Sequence, residues 1–294
     1  MLRTIRQKIG KRWNAFKVAY ANYSVLVDYF GSSEKGKSKE KETAFLLMEL
    51  HVIEKGLSLK DIRIGFGQPK VLHVLKLTIS YLKRYNDYSL LNYILTPIHE
   101  YIQFHQDNQF DLDQRILDDY KYLNTLKQNN LKDYHGGTVT VTKADIIQAA
   151  TIDFEKFSKY RFSIRNFTGK DVSREKIYQA LHIAEKTPSP CNRQPWKNFM
   201  VFDKALIDKV ITLQQGGRQF KNDLSCIIVV TSSYNHFFGS EQHQPHVSGG
   251  MYAMSLIYAL HSMGLGTIPL NLGIAKVGLI KFLEFLVFLR IRLK

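Results

Sequence analysis

Three short segments in the second half of this chain carry side chains suited to holding an anionic, planar ligand. The first is Arg161-Phe-Ser-Ile-Arg165-Asn-Phe167. Two guanidiniums four residues apart, with the Ser163 hydroxyl between them, offer forked donors and a third hydrogen bond to a phosphate. The second is Thr187-Pro-Ser-Pro-Cys-Asn-Arg-Gln-Pro-Trp196. Its prolines stop a preceding helix and stiffen the loop, while Asn192, Arg193 and Gln194 present the donors that a heteroaromatic ring with carbonyl edges requires. The third is Gly249-Gly250, opening an apolar helix that ends in Gly264-Leu-Gly-Thr-Ile-Pro-Leu-Asn271. Glycine at those points lets backbone approach something flat or bulky, or lets a helix pack tightly on a strand.

Other reactive side chains are less organised. His236, His243 and His246 lie with Glu241 in an irregular stretch, but their spacing is not that of a zinc protease helix, and no metal is expected. His51 and Glu54 share one helical face and read as a helix-end hydrogen bond. Cys191 and Cys226 are too few for a disulfide framework or a multi-cysteine metal site. No GxSxG, Walker A or GxGxxG followed by an acidic residue occurs, so hydrolase, P-loop and Rossmann chemistry lack support.

The elements that position these segments follow from hydrophobic periodicity. Residues 2–30 predict a helix with basic residues early and Trp13, Phe16, Tyr20, Tyr23 and Phe30 at helical spacing, expected to pack on its own domain rather than on a membrane. Residues 31–42 lack apolar side chains and read as a linker. A second helix runs from about Thr43 to a stop at Glu54-Lys55-Gly56-Leu57, with Gly56 expected in the left-handed position past its end. Helical texture continues from Lys70 to Asn130, with breaks at Asn86-Asp87 and Asp107-Asn108. Beyond a domain boundary near residue 150, Ser173 caps a helix that buries Ile177, Ala180, Leu181 and Ala184. Strands are predicted at 198–202, 225–231 (fully buried) and 267–270, and a helix from a Ser248 cap to Met263 that stops at Gly264.

With 294 residues, 45% hydrophobic and 23% charged, the chain has ordinary globular composition with room for two domains. The net charge of +15 is spread over both halves, +6 before residue 151 and +9 after it. Dispersed basicity favours anionic ligands without forming a nucleic-acid stripe, so no nucleic-acid partner is expected. The basic N-terminus is not followed by an apolar run, and no segment reaches the roughly 18 apolar residues of a membrane span, so neither a signal peptide nor a spanning helix is expected. A cytoplasmic location is the expectation.

RFSIRNF, TPSPCNRQPW and GGMYAMSLIYALHSMGLGTIPLN, in that order, resemble the FMN-dependent nitroreductase family over residues 151–273. The resemblance implies an α+β fold, with a nitroreductase-like mixed sheet flanked by helices over residues 151–294. A mainly helical N-terminal region over residues 1–150 precedes it. It also implies a homodimer that binds FMN at the subunit interface and passes a hydride from NADH or NADPH to a nitro, quinone-like or other small-molecule acceptor.

By motif position, Arg161 and Ser163 would hold the FMN phosphate or ribityl chain, and Arg165 would sit at the N1/O2 edge. Pro188, Ser189, Pro190, Asn192 and Gln194 would contact FMN from the second motif, and Pro269, Leu270 and Asn271 would lie against the isoalloxazine ring. The pattern implies no acid–base catalyst. Two departures stand out. Phe162 occupies a position where the family commonly has a polar side chain. After Asn271 the family has a helix, a strand and phosphate-clasping basic residues, whereas residues 277–294 here are apolar on nearly every helical face. That tail reads as truncated or altered, so a non-catalytic binding or scaffold protein with a degraded flavin-binding domain is the alternative.

Overall fold

The computed structural model describes residues 2–30, 38–126, 136–214 and 217–272. The tail at 277–294 lies outside the described residues. The chain divides into two compact units. One comprises the residues up to Ile146 together with Pro190–Arg193 and Tyr234–Gln242; the other comprises the remainder.

The first unit contains α1 (Leu2–Tyr29), α2 (Lys39–Leu57), α3 (Gln68–Tyr85), α4 (Leu91–Asp107) and α5 (Gln114–Thr125). Apolar residues recur every three or four positions, so each of α2 to α5 turns one stripe inward. Leu46, Leu50 and Ile53 of α2 meet Val71, Val74 and Leu75 of α3, Leu91, Ile94, Leu95 and Ile98 of α4, and Ile116 and Leu123 of α5. Breaks fall where local chemistry demands them. Asn86 takes a left-handed φ of 47° at the end of α3 and returns its N–H to the Leu82 carbonyl. His105 is fully buried, yet both ring nitrogens are paired. Nε2 accepts from the Gly65 N–H at 3.0 Å, which leaves Nδ1 to donate to the Tyr101 carbonyl at 2.8 Å.

Two sequence expectations in this unit are corrected. Gly56 does not terminate α2, which continues through Leu57 with Ser58 as its C-cap. Gly56 is there because a Cβ would overlap the Phe66 ring. Steric clearance is its role, not left-handed backbone. The helix at α1 exists, but Trp13, Phe16, Tyr20 and Tyr23 are exposed rather than packed, while the Phe30 ring just past its end lies 5.0 Å from the Tyr234 ring.

In the second unit, α7 (Phe154–Lys159), α8 (Arg174–Ala184), α9 (Lys204–Gln214) and α10 (Gln244–Ser262) surround an antiparallel pair, β1 (Trp196–Val201) and β2 (Ile227–Ser232). A short helix, α6 (Lys143–Ala149), precedes them and spans the point at which the two units divide. Trp196 pairs with Ser232 and Val201 with Ile227. The α+β class therefore stands, with a two-stranded sheet among the described residues. Ser173 caps α8 by accepting the Lys176 N–H, and the buried face is Ile177, Ala180, Leu181 and Ala184 as the spacing predicts. This face meets Trp196 and, on α10, Tyr252, Leu256, Ala259 and Leu260. Trp196 and Tyr252 stack at 4.7 Å. A smaller cluster of Val201, Ile207, Val210, Ile211 and Leu224 fills the space under α9.

The end of α10 follows its sequence signal. Gly264 takes φ 75°, its N–H returns to His261, and the Leu265 N–H returns to Leu260. Its start does not. The helix begins at Gln244 and Ser248 is buried within it, because Pro245 supplies an N-terminal turn upstream. The predicted strand at 267–270 is reduced to one parallel bridge between Thr267 and Ser163, and β2 is half-buried rather than fully buried.

The crowding at Gly56 has a measurable consequence. Gly56→Ala is expected to lower stability by about 1–3 kcal/mol despite alanine's better helix propensity, because overpacking outweighs propensity. Adding Phe66→Leu should recover most of the loss in urea-unfolding midpoints.

Candidate functional site

The bridge between Ser163 and Thr267 brings the first and third motifs together. The Ile164 N–H donates to the Thr267 carbonyl at 2.9 Å. Close approach is allowed by Gly266, where a Cβ would stand 2.9 Å from Ile164 Cγ1. Arg161 and Ser163 are half-buried on this ledge, and Arg165 is exposed with Nη1 donating to the Ser163 carbonyl at 3.3 Å. Pro269, Leu270 and Asn271 continue the partner segment and are exposed; the Asn271 carbonyl accepts from Gln214 Nε2 at 2.8 Å. Phe162 is 62% exposed and adds no polar group. The bridge thus joins a segment that carries two arginines and a serine to the 264–271 segment.

The glycines that open the third motif behave differently from each other. A Cβ at Gly249 would lie 3.3 Å from Ser232 Cβ, so helix-on-strand packing accounts for it. Gly250 faces open space. Nearby, a cleft of about 440 Å³ is lined by Tyr178, His182, Gln194, Trp196, Asn198 and Tyr252, among others. Asn198 Nδ2 donates to Tyr252 Oη at 2.7 Å, while Asn198 Oδ1 and Ser232 Oγ are buried without a hydrogen-bond partner.

The second motif is shaped by one buried side chain. Thr187 ends α8 by donating its hydroxyl to the Ala184 carbonyl, and Pro188 and Pro190 forbid further helix. Cys191, Asn192 and Gln194 then adopt φ of 50°, 49° and 43°, left-handed values that each cost a non-glycine residue about 1 kcal/mol or more. Arg193 sits among them and is buried. Its Nε donates to the Pro190 carbonyl at 3.0 Å and Nη1 to the His236 carbonyl at 2.6 Å. Nη1 and Nη2 also clasp the two oxygens of Glu241 at 3.0 and 2.6 Å. The Phe237 ring lies 5.0 Å from the guanidinium carbon.

Burial pulls the Glu241 carboxyl upward, but the Arg193 hydrogen bonds and the Phe238 N–H outweigh it and hold it below the ordinary glutamate range. Asn192 Nδ2 donates to Tyr93 Oη at 2.9 Å, and burial beside Glu54 pushes that phenol up to about 12. Pro190 and Asn192 belong to the first unit. Pro188, Ser189 and Gln194 belong to the second, where the Gln194 N–H donates to Ser189 Oγ at 2.9 Å.

Arg193 looks in the sequence like a ligand donor, but the structure makes it a clamp. Its partners at His236 and Glu241 lie more than forty residues away, and no spacing rule links them to it. Glu241 is engaged by this clamp, and no group of three or more His, Cys, Asp or Glu among the described residues could hold a metal. Burial raises the Cys226 thiol to about 11, so it is not a nucleophile at neutral pH.

Residues 159–284 match the sequence model of the Nitroreductase family. This stretch is similar to that family, and the helical N-terminal region lies outside the match. A Methanothermobacter thermautotrophicus protein assigned as an NADH dehydrogenase/NAD(P)H nitroreductase is 25% identical over 129 residues, covering 44% of this chain and 61% of that protein. The chain therefore spans about three fifths of that relative's length. Among solved structures, a Clostridium acetobutylicum protein assigned as an NADH oxidase is 27% identical, covering 38% of this chain and 66% of its own, with a TM-score of 0.35. A Desulfovibrio desulfuricans protein assigned as a nitroreductase, solved with FMN, is 22% identical over 40% of this chain and 68% of its own, with a TM-score of 0.37. Superpositions this loose do not bear on the site.

The clamp predicts an asymmetry. Glu241→Gln leaves a buried guanidinium uncompensated and should cost about 3 kcal/mol at neutral pH. Because the folded-state carboxyl is depressed, this stabilisation is present above the ordinary glutamate value of about 4.5 and is lost as pH falls through the folded value. The gap between native and variant urea midpoints should therefore close in acid. Arg193→Lys should also destabilise, since one ammonium cannot reach two carbonyls and both carboxylate oxygens.

Proposed function

We propose that the 159–284 domain is an FMN-dependent oxidoreductase that uses NADH or NADPH to reduce a small nitro, quinone-like or related acceptor. The observation that carries this reading is the Ser163–Thr267 bridge. It joins the segment that carries Arg161, Ser163 and Arg165 to the segment that carries Pro269, Leu270 and Asn271, inside the stretch that matches the family, and this supports the reading.

The donor set fits the cofactor. Arg161 and Ser163 supply a fork and a hydroxyl for a phosphate, and exposed Arg165 supplies positive charge for an electron-rich ring edge. Bound FMN would accept a hydride from the nicotinamide and deliver it to the acceptor. The protein's part would be to hold and orient: Pro269, Leu270 and Asn271 are exposed to a ligand, and Gly250 leaves space. In the homodimer that belongs to this reading, Pro188, Ser189, Pro190, Asn192 and Gln194 serve the site across the subunit interface. The left-handed loop holds them rigidly because Arg193 pins it. No side chain need exchange a proton. Two unpaired thiols suit a cytoplasmic setting.

An absorbance spectrum tests the proposal. Purified protein, or protein given FMN, should show bands near about 370 and 450 nm that bleach with NADH or NADPH under anaerobic conditions. Arg165→Ala should weaken FMN binding about tenfold or more while leaving the thermal melt unchanged, because Arg165 is exposed. Protein that stays colourless with excess FMN would reject the reading in favour of a binding or scaffold role.

A further inference from the structure

The helix α1 presents a side that nothing in its own unit covers. Trp13, Phe16, Tyr20, Tyr23 and Val27 follow a three–four–three–four spacing, so they form one ridge along about 21 Å of helix. They are 56, 59, 60, 61 and 59% exposed. The rings lean on one another, with Trp13–Phe16 centroids 5.7 Å apart, Phe16–Tyr20 6.3 Å and Tyr20–Tyr23 6.4 Å. Lone helices gain little stability in water, and a continuous apolar ridge left in solvent marks an interaction surface.

Charge decides what the surface meets. The same helix carries Arg3, Arg6, Lys8, Lys11, Arg12 and Lys17 against a single acid, Asp28. Lys17 Nζ lies 5.5 Å from the Trp13 ring centre, so cationic and aromatic groups alternate at one face. We propose that α1 is an interfacial helix that lies on an anionic lipid surface, with the aromatic ridge at headgroup depth and the basic residues against the phosphates. Trp and Tyr prefer that depth, where one end of the ring is apolar and the other wet. No described helix is long and apolar enough to cross a membrane, which suits a helix that lies flat.

Two other occupants fit less well. In a coiled coil with a second copy, Arg12 and Lys17 would flank the seam without an acidic residue to pair with, and the ridge spans fewer than the three to four heptads such a seam needs. Stacking of nucleic-acid bases needs separate ring faces, whereas these rings cover one another.

The experiment is flotation of the full chain with vesicles of phosphatidylcholine alone and with about 30% phosphatidylserine. Binding is expected only to the anionic vesicles, weakened by salt and reduced about tenfold by Trp13→Ala with Phe16→Ala. A thermal melt checks that this variant folds. Independently of any variant, brominated lipid should quench the native protein's tryptophan emission, since Trp196 is buried and Trp13 is not. Absence of flotation, equal binding to neutral vesicles, or binding that survives both alanines without bromolipid quenching would overturn the proposal. So would an alanine-sensitive dimer or oligonucleotide complex in the absence of vesicle binding. None of these outcomes touches the flavin spectrum, so the two proposals stand or fall separately.

Discussion

The Arg193–Glu241 pair is the constraint on which the Ser189–Gln194 loop depends. Three of the loop's residues take left-handed backbone without being glycine, a conformation that a free loop would abandon. One buried guanidinium opposes that relaxation by filling all its main directions at once, with two carbonyls, both oxygens of a carboxylate and an aromatic face. A buried charge is costly unless every donor is met, so once Arg193 is enclosed the loop and the 234–242 segment are bound to a single arrangement.

The two units are stabilised in different ways. The first relies on helical stripes that close on a shared apolar core, with polar groups admitted only where each is satisfied, as at His105. The second relies on one stacked aromatic pair, Trp196 on Tyr252, that joins a short sheet to α10 and the buried face of α8. Its candidate ledge is made by backbone pairing at Ser163 and Thr267, and the absence of a side chain at Gly266 lets Ile164 come close. The candidate binding residues are exposed or half-buried, and packed elements lie beside them. That division suits a domain whose reaction would belong to a cofactor and whose own contribution is position.

Local features were largely legible in the sequence. The Ser173 cap, the buried stripe of α8, the Asn86 break and the Gly264 stop each depend on residues within one or two helical turns, and the structure shows each of them. The three motifs were legible as well, because their residue types are unusual together. Gly56 was misread because a helix-ending glycine and a helix-spaced glycine look alike until Phe66 is placed. Ser248 was misread because a cap signal has no force once Pro245 starts the helix a turn earlier.

What the sequence determined by itself is therefore whatever follows from neighbours along the chain: helical periodicity, caps, breaks, and the types of donor available to a phosphate or a ring. Tertiary structure alone decided which guanidiniums stay exposed and which are buried. Arg165 stays exposed while Arg193, equally basic and just as close to a motif, is withdrawn to pair with Glu241. The physical reason is that a charge's role depends on its desolvation and its partners, and both are set by residues distant in sequence and adjacent in space.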